Sequence, residues 1–197
     1  MPIIKSLNLF ALAFLFIVLP ACKATSQAGN TMADPGAPDP TRFAKGIERI
    51  SKIEFDESQP RIVFTGSSSI RFWQDMQERY PDHQVLNTGF GGSQMSDLLH
   101  YLDETVLRFS PAQVFVYEGD NDVSAKRPTA AIMDNTKKVV QGIQTKYPEC
   151  EIVLIAAKPS IARWNLKPQY DAINAEFKKY AASNDKIEYA NVWDVML

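Results

Sequence analysis

Arg61-Ile62-Val63-Phe64-Thr65-Gly66-Ser67-Ser68-Ser69-Ile70-Arg71-Phe72-Trp73 is the stretch whose reading decides the fold. Ile62 to Thr65 are apolar or β-branched without alternation, which suits a strand buried on both faces. Gly66 interrupts the run, three serines follow, and apolar residues resume at Ile70, Phe72 and Trp73. The pattern predicts a strand, a tight turn and the start of a helix, with hydroxyls displayed where the first helical N–H groups point. Such serines have two uses. They can cap the helix, or one can be a nucleophile held at the C-terminal edge of a parallel sheet. Taken by itself the stretch favours capping, because an α/β fold needs a capped turn here whatever it does.

The pattern repeats on either side. Residues 41–57 carry Phe43, Ile47, Ile50 and Ile53 against a charged face, an amphipathic helix. A helix over 70–80 is stopped by Pro81. Residues 84–88 read as a second strand running into Gly89-Phe90-Gly91-Gly92-Ser93, after which Met95, Leu98, Leu99, Leu102 and Val106 keep helical spacing. A third strand over 113–117 ends in Glu118-Gly119-Asp120-Asn121-Asp122. A helix follows over 128–147 with proline in its first turn, then a strand over 151–156, a helix over 169–184 and a strand over 187–192. Strands alternating with helices through short loops predict right-handed crossovers and a five-stranded parallel sheet in a three-layer α/β/α arrangement. Ligands of such sheets sit outside the carboxyl ends of the strands. The glycine-bearing turns after the first three strands should therefore converge.

The 197 residues carry a formal net charge of −2 without basic clusters, which gives no footprint for nucleic acid. Cys22 and Cys150 stand in such different contexts that a disulfide is not expected. Residues 1–21 read as a signal peptide: Lys5 supplies a short positive region, and 9–19 is an apolar stretch too short to span a bilayer. Leu19-Pro20-Ala21-Cys22 resembles the lipobox of bacterial lipoproteins. That resemblance implies cleavage before Cys22, lipid on its sulfur and new N-terminus, and anchoring at a membrane outside the cytoplasm. A plain signal peptide cut near Ala21 and an uncleaved anchor are the alternatives. Residues 22–40 read as a flexible tether with a reach of roughly 20–25 Å, and the domain is expected over 41–197.

Three segments together resemble the SGNH/GDSL hydrolase family from Arg61 to the end of the chain. Gly66-Ser67-Ser68 matches the first block, with Ser67 where aspartate is more familiar. Asn87-Thr88-Gly89-Phe90-Gly91-Gly92-Ser93 matches the second, and Gly119-Asp120-Asn121-Asp122 the third. The resemblance implies the family's flavodoxin-like fold and a serine ester hydrolase. It makes Ser68 the nucleophile, and an oxyanion hole of the Ser68 N–H, the Gly92 N–H and the Asn121 side-chain amide. The chemistry agrees, since acyl transfer to serine develops negative charge that preorganised donors stabilise. Glycine at 92 lets the backbone approach a substrate. Asp122 is expected only to brace its loop. The Gly-x-Ser-x-Gly elbow of α/β-hydrolases does not match, because Ile70 stands where its last glycine would be.

A serine nucleophile needs a base oriented by a third group. The family takes both from an Asp-x-x-His block after the fifth strand, and the sequence reaches Leu197 before such a block. The Asp-x-x-His at Asp97 to His100 lies inside a helix, with His100 roughly 10 Å from the catalytic edge. His83 precedes the second strand, at the opposite edge. Chain ends are usually polar, whereas this one carries Trp193, Val195, Met196 and Leu197. The expectation is a hydrolase fragment that lacks its closing C-terminal helix, with the histidine base beyond residue 197. A naturally shortened, non-catalytic surface module for acylated glycan or lipid is the alternative. Acetylated polysaccharide, lysophospholipid and short acyl esters all suit the cleft, and neither metal nor organic cofactor is implied. A flavodoxin-like phosphate site at Thr65 to Ser69 ranks last, as it leaves Gly92 and Asn121 without a role. Cys150 reads as a small buried hydrophobe.

Overall fold

In the computed structural model residues 36–197 are described, so the segment expected to be a signal peptide, Cys22 and most of the expected tether lie outside the described residues. The apolar runs form β1 (Arg61–Gly66), β2 (Gln84–Asn87), β3 (Gln113–Tyr117), β4 (Glu151–Ile155) and β5 (Ile187–Ala190). They lie in the order β2-β1-β3-β4-β5 with every pairing parallel. The five-stranded parallel sheet expected from the sequence is present. Its register sets Gly66 beside Tyr117 and Phe64 beside Asn87, which brings the ends of β1, β2 and β3 to one edge.

Eight α-helices are found among the described residues: α1 (Ala44–Ser51), α2 (Ser68–Arg71), α3 (Met76–Arg79), α4 (Met95–His100), α5 (Leu102–Thr105), α6 (Asp120–Ser124), α7 (Thr129–Lys146) and α8 (Lys167–Ala181). None is long and apolar enough to cross a membrane. The step from β1 to β2 runs one way across the sheet, and the steps to β3, β4 and β5 run the other. Right-handed crossovers therefore put α2 and α3 on one face and the remaining connections on the opposite face. The packing follows. Val63, Val114, Val116, Ile152 and Leu154 form one core with Ile50, Leu98, Val139, Ile143, Ile173 and Phe177, all buried. Phe64, Val85 and Tyr117 on the other face meet Ile70 and Met76 from α2 and α3, with the rings of Trp73 and Tyr80 beside Phe64. The rest of that face is a hollow of about 320 Å³ lined by Ile62, Phe64, Tyr80, Phe115, Ile155 and Val192. After β5 the described residues form a single 3-10 turn, Asp194–Met196. Trp193 is not part of the exposed end: it is buried, its ring 5.7 Å from that of Tyr170.

Several helices are shorter than their periodicity suggests. The helix expected over 70–80 is two single turns, because the Asn87 side-chain amide donates to the carbonyls of Ile70 (2.7 Å) and Trp73 (3.0 Å). Those carbonyls close the turn on a tertiary partner instead of feeding a continuous helix. The pattern from Met95 to Val106 likewise breaks at Tyr101, whose backbone is non-helical. The helix expected over 41–57 is a 3-10 turn, Pro40–Phe43, followed by α1, and it stops at Lys52. Pro128 stands just before α7, at the N-cap with extended backbone, and not in its first turn.

Candidate active site

The first turn is held by its neighbours on both sides. Gly66 has φ of +122°, and a Cβ there would lie 2.0 Å from the Tyr117 carbonyl oxygen, so only glycine fits. Its own carbonyl accepts from Phe90 N–H at 2.8 Å, while Ser67 N–H donates to the Tyr117 carbonyl at 3.0 Å. Ser67 occupies the N-cap position of α2 without a side-chain capping bond. Its hydroxyl is buried and has no protein partner, as has that of Thr65. Ser67 therefore caps the helix by backbone position alone. Ser69 lies within α2, its hydroxyl beside the Tyr117 phenol. Ser68 opens α2 half-buried, and no hydrogen bond joins it to a histidine.

The second turn leaves β2 at Asn87. Arg49 on α1 donates to the Gly89 carbonyl at 2.6 Å and, at a longer 3.4 Å, to that of Asn87. Gly89 packs on α2, where a Cβ would come within 2.5 Å of the Arg71 nitrogen. A Cβ built at Gly91 would touch Ser68 Cβ at 3.7 Å, so this backbone passes directly over Ser68. Gly92 is exposed with φ of +90°, and a Cβ there would meet only Phe43, at 4.0 Å. The conformation there, and not the space, favours glycine.

The third turn pivots on Gly119 at φ of +103° and enters α6. The Asn121 side-chain nitrogen donates to the Ser93 carbonyl at 2.9 Å. Both Asp122 carboxylate oxygens accept from Met95 N–H at 3.2 Å, which is the bracing expected of that residue. The Ser93 hydroxyl donates to Glu118 at 2.5 Å. The second and third turns are thus tied through Ser93 and Met95.

Beneath the edge lie carboxyls that burial pushes towards their neutral forms. Asp122 is raised to about 7, mainly by burial and in opposition to the bond from Met95. Glu118 is fully buried and held well above the usual carboxylate range by burial and then by the nearby Asp122. Asp97 is raised by burial against its bonds from Gln94 and Arg42, the latter an ion pair at 2.5 Å. Asp97 also accepts from Gln94 N–H in a capping box, a structural use of the carboxylate.

His100 is exposed at the end of α4, its ring edge-on to Tyr101 at 4.6 Å. His83 lines the hollow on the open face. Neither histidine is brought to Ser68. Among the described residues no cluster of histidine, cysteine and acidic side chains could hold a metal ion.

Sequence reasoning missed a fourth contributor to this edge. Arg163, in the 3-10 segment Ile161–Leu166 after β4, donates to the Asp120 carboxylate at 2.6 Å and to its carbonyl at 3.1 Å. The Tyr170 hydroxyl donates to the same carboxylate. A usable signal existed, because every connection leaving a strand of this sheet starts at the ligand edge.

Residues 58–197 match the GDSL-like lipase/acylhydrolase family. The chain belongs to that family. It is an ester hydrolase by family, as the resemblance of the three blocks implied. No curated protein matches it. Its fold is similar to that of a protein from Streptococcus pneumonia, with 20% identity and a TM-score of 0.69 over 80% of this chain and 77% of that one. A GDSL-like lipase from Bacteroides thetaiotaomicron gives 19% identity and a TM-score of 0.63, covering 81% and 80%. An acetylxylan esterase from Geobacillus stearothermophilus, solved as a catalytic mutant, gives 15% and 0.57, covering 72% and 80%.

Proposed function

We propose that Ser68 is the nucleophile of a serine ester hydrolase acting outside the cytoplasm, with an oxyanion hole of Ser68 N–H, Gly92 N–H and Asn121 Nδ2. The observation that supports this reading most is the cross-bonding of the three turns: Phe90 to Gly66, Ser67 to Tyr117, and Asn121 to Ser93. Donors so fixed need no reorganisation when charge develops, and that is the main requirement of an oxyanion hole. Ser68 Oγ would attack the acyl carbon as its proton passes to a base. The tetrahedral oxyanion collapses with loss of the alcohol, and water then releases the acid from the acyl-enzyme. His83, on the open face, and His100, exposed at the end of α4, both stand elsewhere, so neither serves this reading as the base, a role for which the family resemblance implies an Asp-x-x-His block.

The test is acylation of Ser68 by an activated acetyl ester, followed by intact mass, with free imidazole standing in for the base. A label that grows with imidazole and is lost in Ser68→Ala is expected. Equal acyl transfer by wild type and Ser68→Ala sinks the enzyme reading. Asn121→Ala should slow acylation by about 10²–10³, the usual cost of one oxyanion donor.

The position of both histidines also supports a second reading, a binding module that keeps the cleft without turnover. It predicts saturable binding of an acylated glycan or lipid that survives Ser68→Ala. The neighbour described as an acetylxylan esterase makes acetylated glycans a fitting substrate class, beside lysophospholipids and short acyl esters. Lipid attachment at Cys22 is part of the proposal, resting on the apolar stretch and Leu19-Pro20-Ala21-Cys22. Fatty-acid labelling in a bacterial host should mark the wild type and not Cys22→Ser.

A further inference from the structure

The Asn121 amide has two nearly isosteric ends, and its partners decide which end faces the cleft. On one side stands the Ser93 carbonyl, which can only accept, 2.9 Å from Nδ2. On the other stands the Arg163 guanidinium, which can only donate, with Nη1 and Nη2 at 3.5 and 3.4 Å from Oδ1. A flipped amide would set acceptor against acceptor and donor against donor. The guanidinium is itself anchored by the Asp120 carboxylate at 2.6 Å, and Tyr170 holds that carboxylate from α8. Nδ2 carries two hydrogens, and the bond to Ser93 uses one.

From this geometry we infer that Arg163 is a positioning residue. It fixes the Asn121 amide so that the second Nδ2–H faces the oxyanion, and its charge, drawn to Oδ1, strengthens that donor. The long contacts to Oδ1 make this an electrostatic lock on orientation, whereas the short bond to Asp120 is the anchor. The inference rests on the reading of Asn121 as an oxyanion donor. It adds a role for the connection after β4, and it explains why an aspartate occupies position 120 between Gly119 and Asn121. The Arg163–Asp120 pair spans 43 residues and ties the connections after β3 and β4.

The experiment combines a spectroscopic and a kinetic arm. In ¹⁵N-labelled protein, the Asn121 side-chain amide, assigned through Asn121→Asp, should give two well-separated proton signals. Arg163→Ala should bring them together or broaden them, and Arg163→Lys, which keeps charge but not the fork, should do so partly. Arg163→Ala should also slow acylation of Ser68 roughly tenfold at saturating ester, with half-saturation unchanged, and Arg163→Lys should recover part of the rate. In an Asn121→Ala background the Arg163 substitution should have no further effect. Unchanged amide signals in folded Arg163→Ala, or the same rate loss with and without Asn121, would overturn the inference. If the signals respond to Arg163 but Asn121→Ala leaves acylation intact, the oxyanion assignment is what fails, and the catalytic part of the inference falls with it.

Discussion

The two faces of the one sheet are covered unequally. On the face toward α4, α7 and α8, the even-numbered residues of β3 and β4 are wholly enclosed: Val114 and Ile152 have no exposed surface. On the other, Ile62 and Phe115 border an open hollow, and α2 and α3 are the only helices among the described residues that pack on this face. The closed face carries the buried polar cluster under the site, including Thr65, Ser67, Glu118 and Asp122. The donors proposed for the oxyanion stand at the edge above that buried cluster. A well-buried floor under the donors and a thinly covered back suit a site whose stabilising groups must be fixed while other parts need not be.

Truncating the closed face should give the largest effect. Ile143→Ala should cost about 2–5 kcal/mol in urea unfolding, because Ile143 is enclosed on all sides and leaves a cavity. Ile62→Ala should cost roughly 1 kcal/mol or less, since water already reaches it and part of its transfer energy is never gained. Equal losses at the two positions would break the contrast.

The buried carboxyls give the next effect, and it follows pH. Asp122 holds its proton to about 7 in the fold, against an ordinary value of 3.8. Between those values the folded state binds more protons than the unfolded one, so stability should fall as pH rises from about 4 to about 7. Glu118, raised for the same reason, acts with the same sign and prolongs the fall. Asp122→Asn should flatten part of that slope in thermal melts across the range. A wild-type Tm that rises over the same interval would contradict the burial assigned to these groups.

The smallest effect is a rate. Cys150 is buried in the closed-face core, and burial raises its thiol to about 11. A thiol reagent should therefore modify native protein slowly at neutral pH and denatured protein at once. Rapid modification of the native state would mean that this face opens more readily than its packing implies.

Much of this was legible in the sequence, and what was not has a common cause. The five strands could be read because each is a short apolar run whose burial does not depend on one distant partner. The three glycine-bearing turns were legible because Gly66, Gly92 and Gly119 adopt positive φ, a local demand that leaves its residue type behind. The helix breaks were not legible, because Asn87 and the carbonyl of Ile70 are 17 residues apart and nothing near Ile70 announces the bond. The short helix α6 was hidden in an acidic run that reads as a loop. Arg163 was missed for a similar reason: its partner is Asp120, and an arginine between Ala162 and Trp164 has no local pattern to mark it.

Asn87 has a further consequence. Its amide nitrogen holds the end of the helix that carries Ser68, its amide oxygen accepts from Gly89 N–H at 3.1 Å, and its backbone lies in β2. Serine turn and glycine turn are thereby joined through one side chain, so neither can fray without the other. The backbone hydrogens of Thr88 and Phe90, bonded across from the glycine turn to Phe64 and Gly66, should exchange with solvent as a single cooperative unit with one opening free energy.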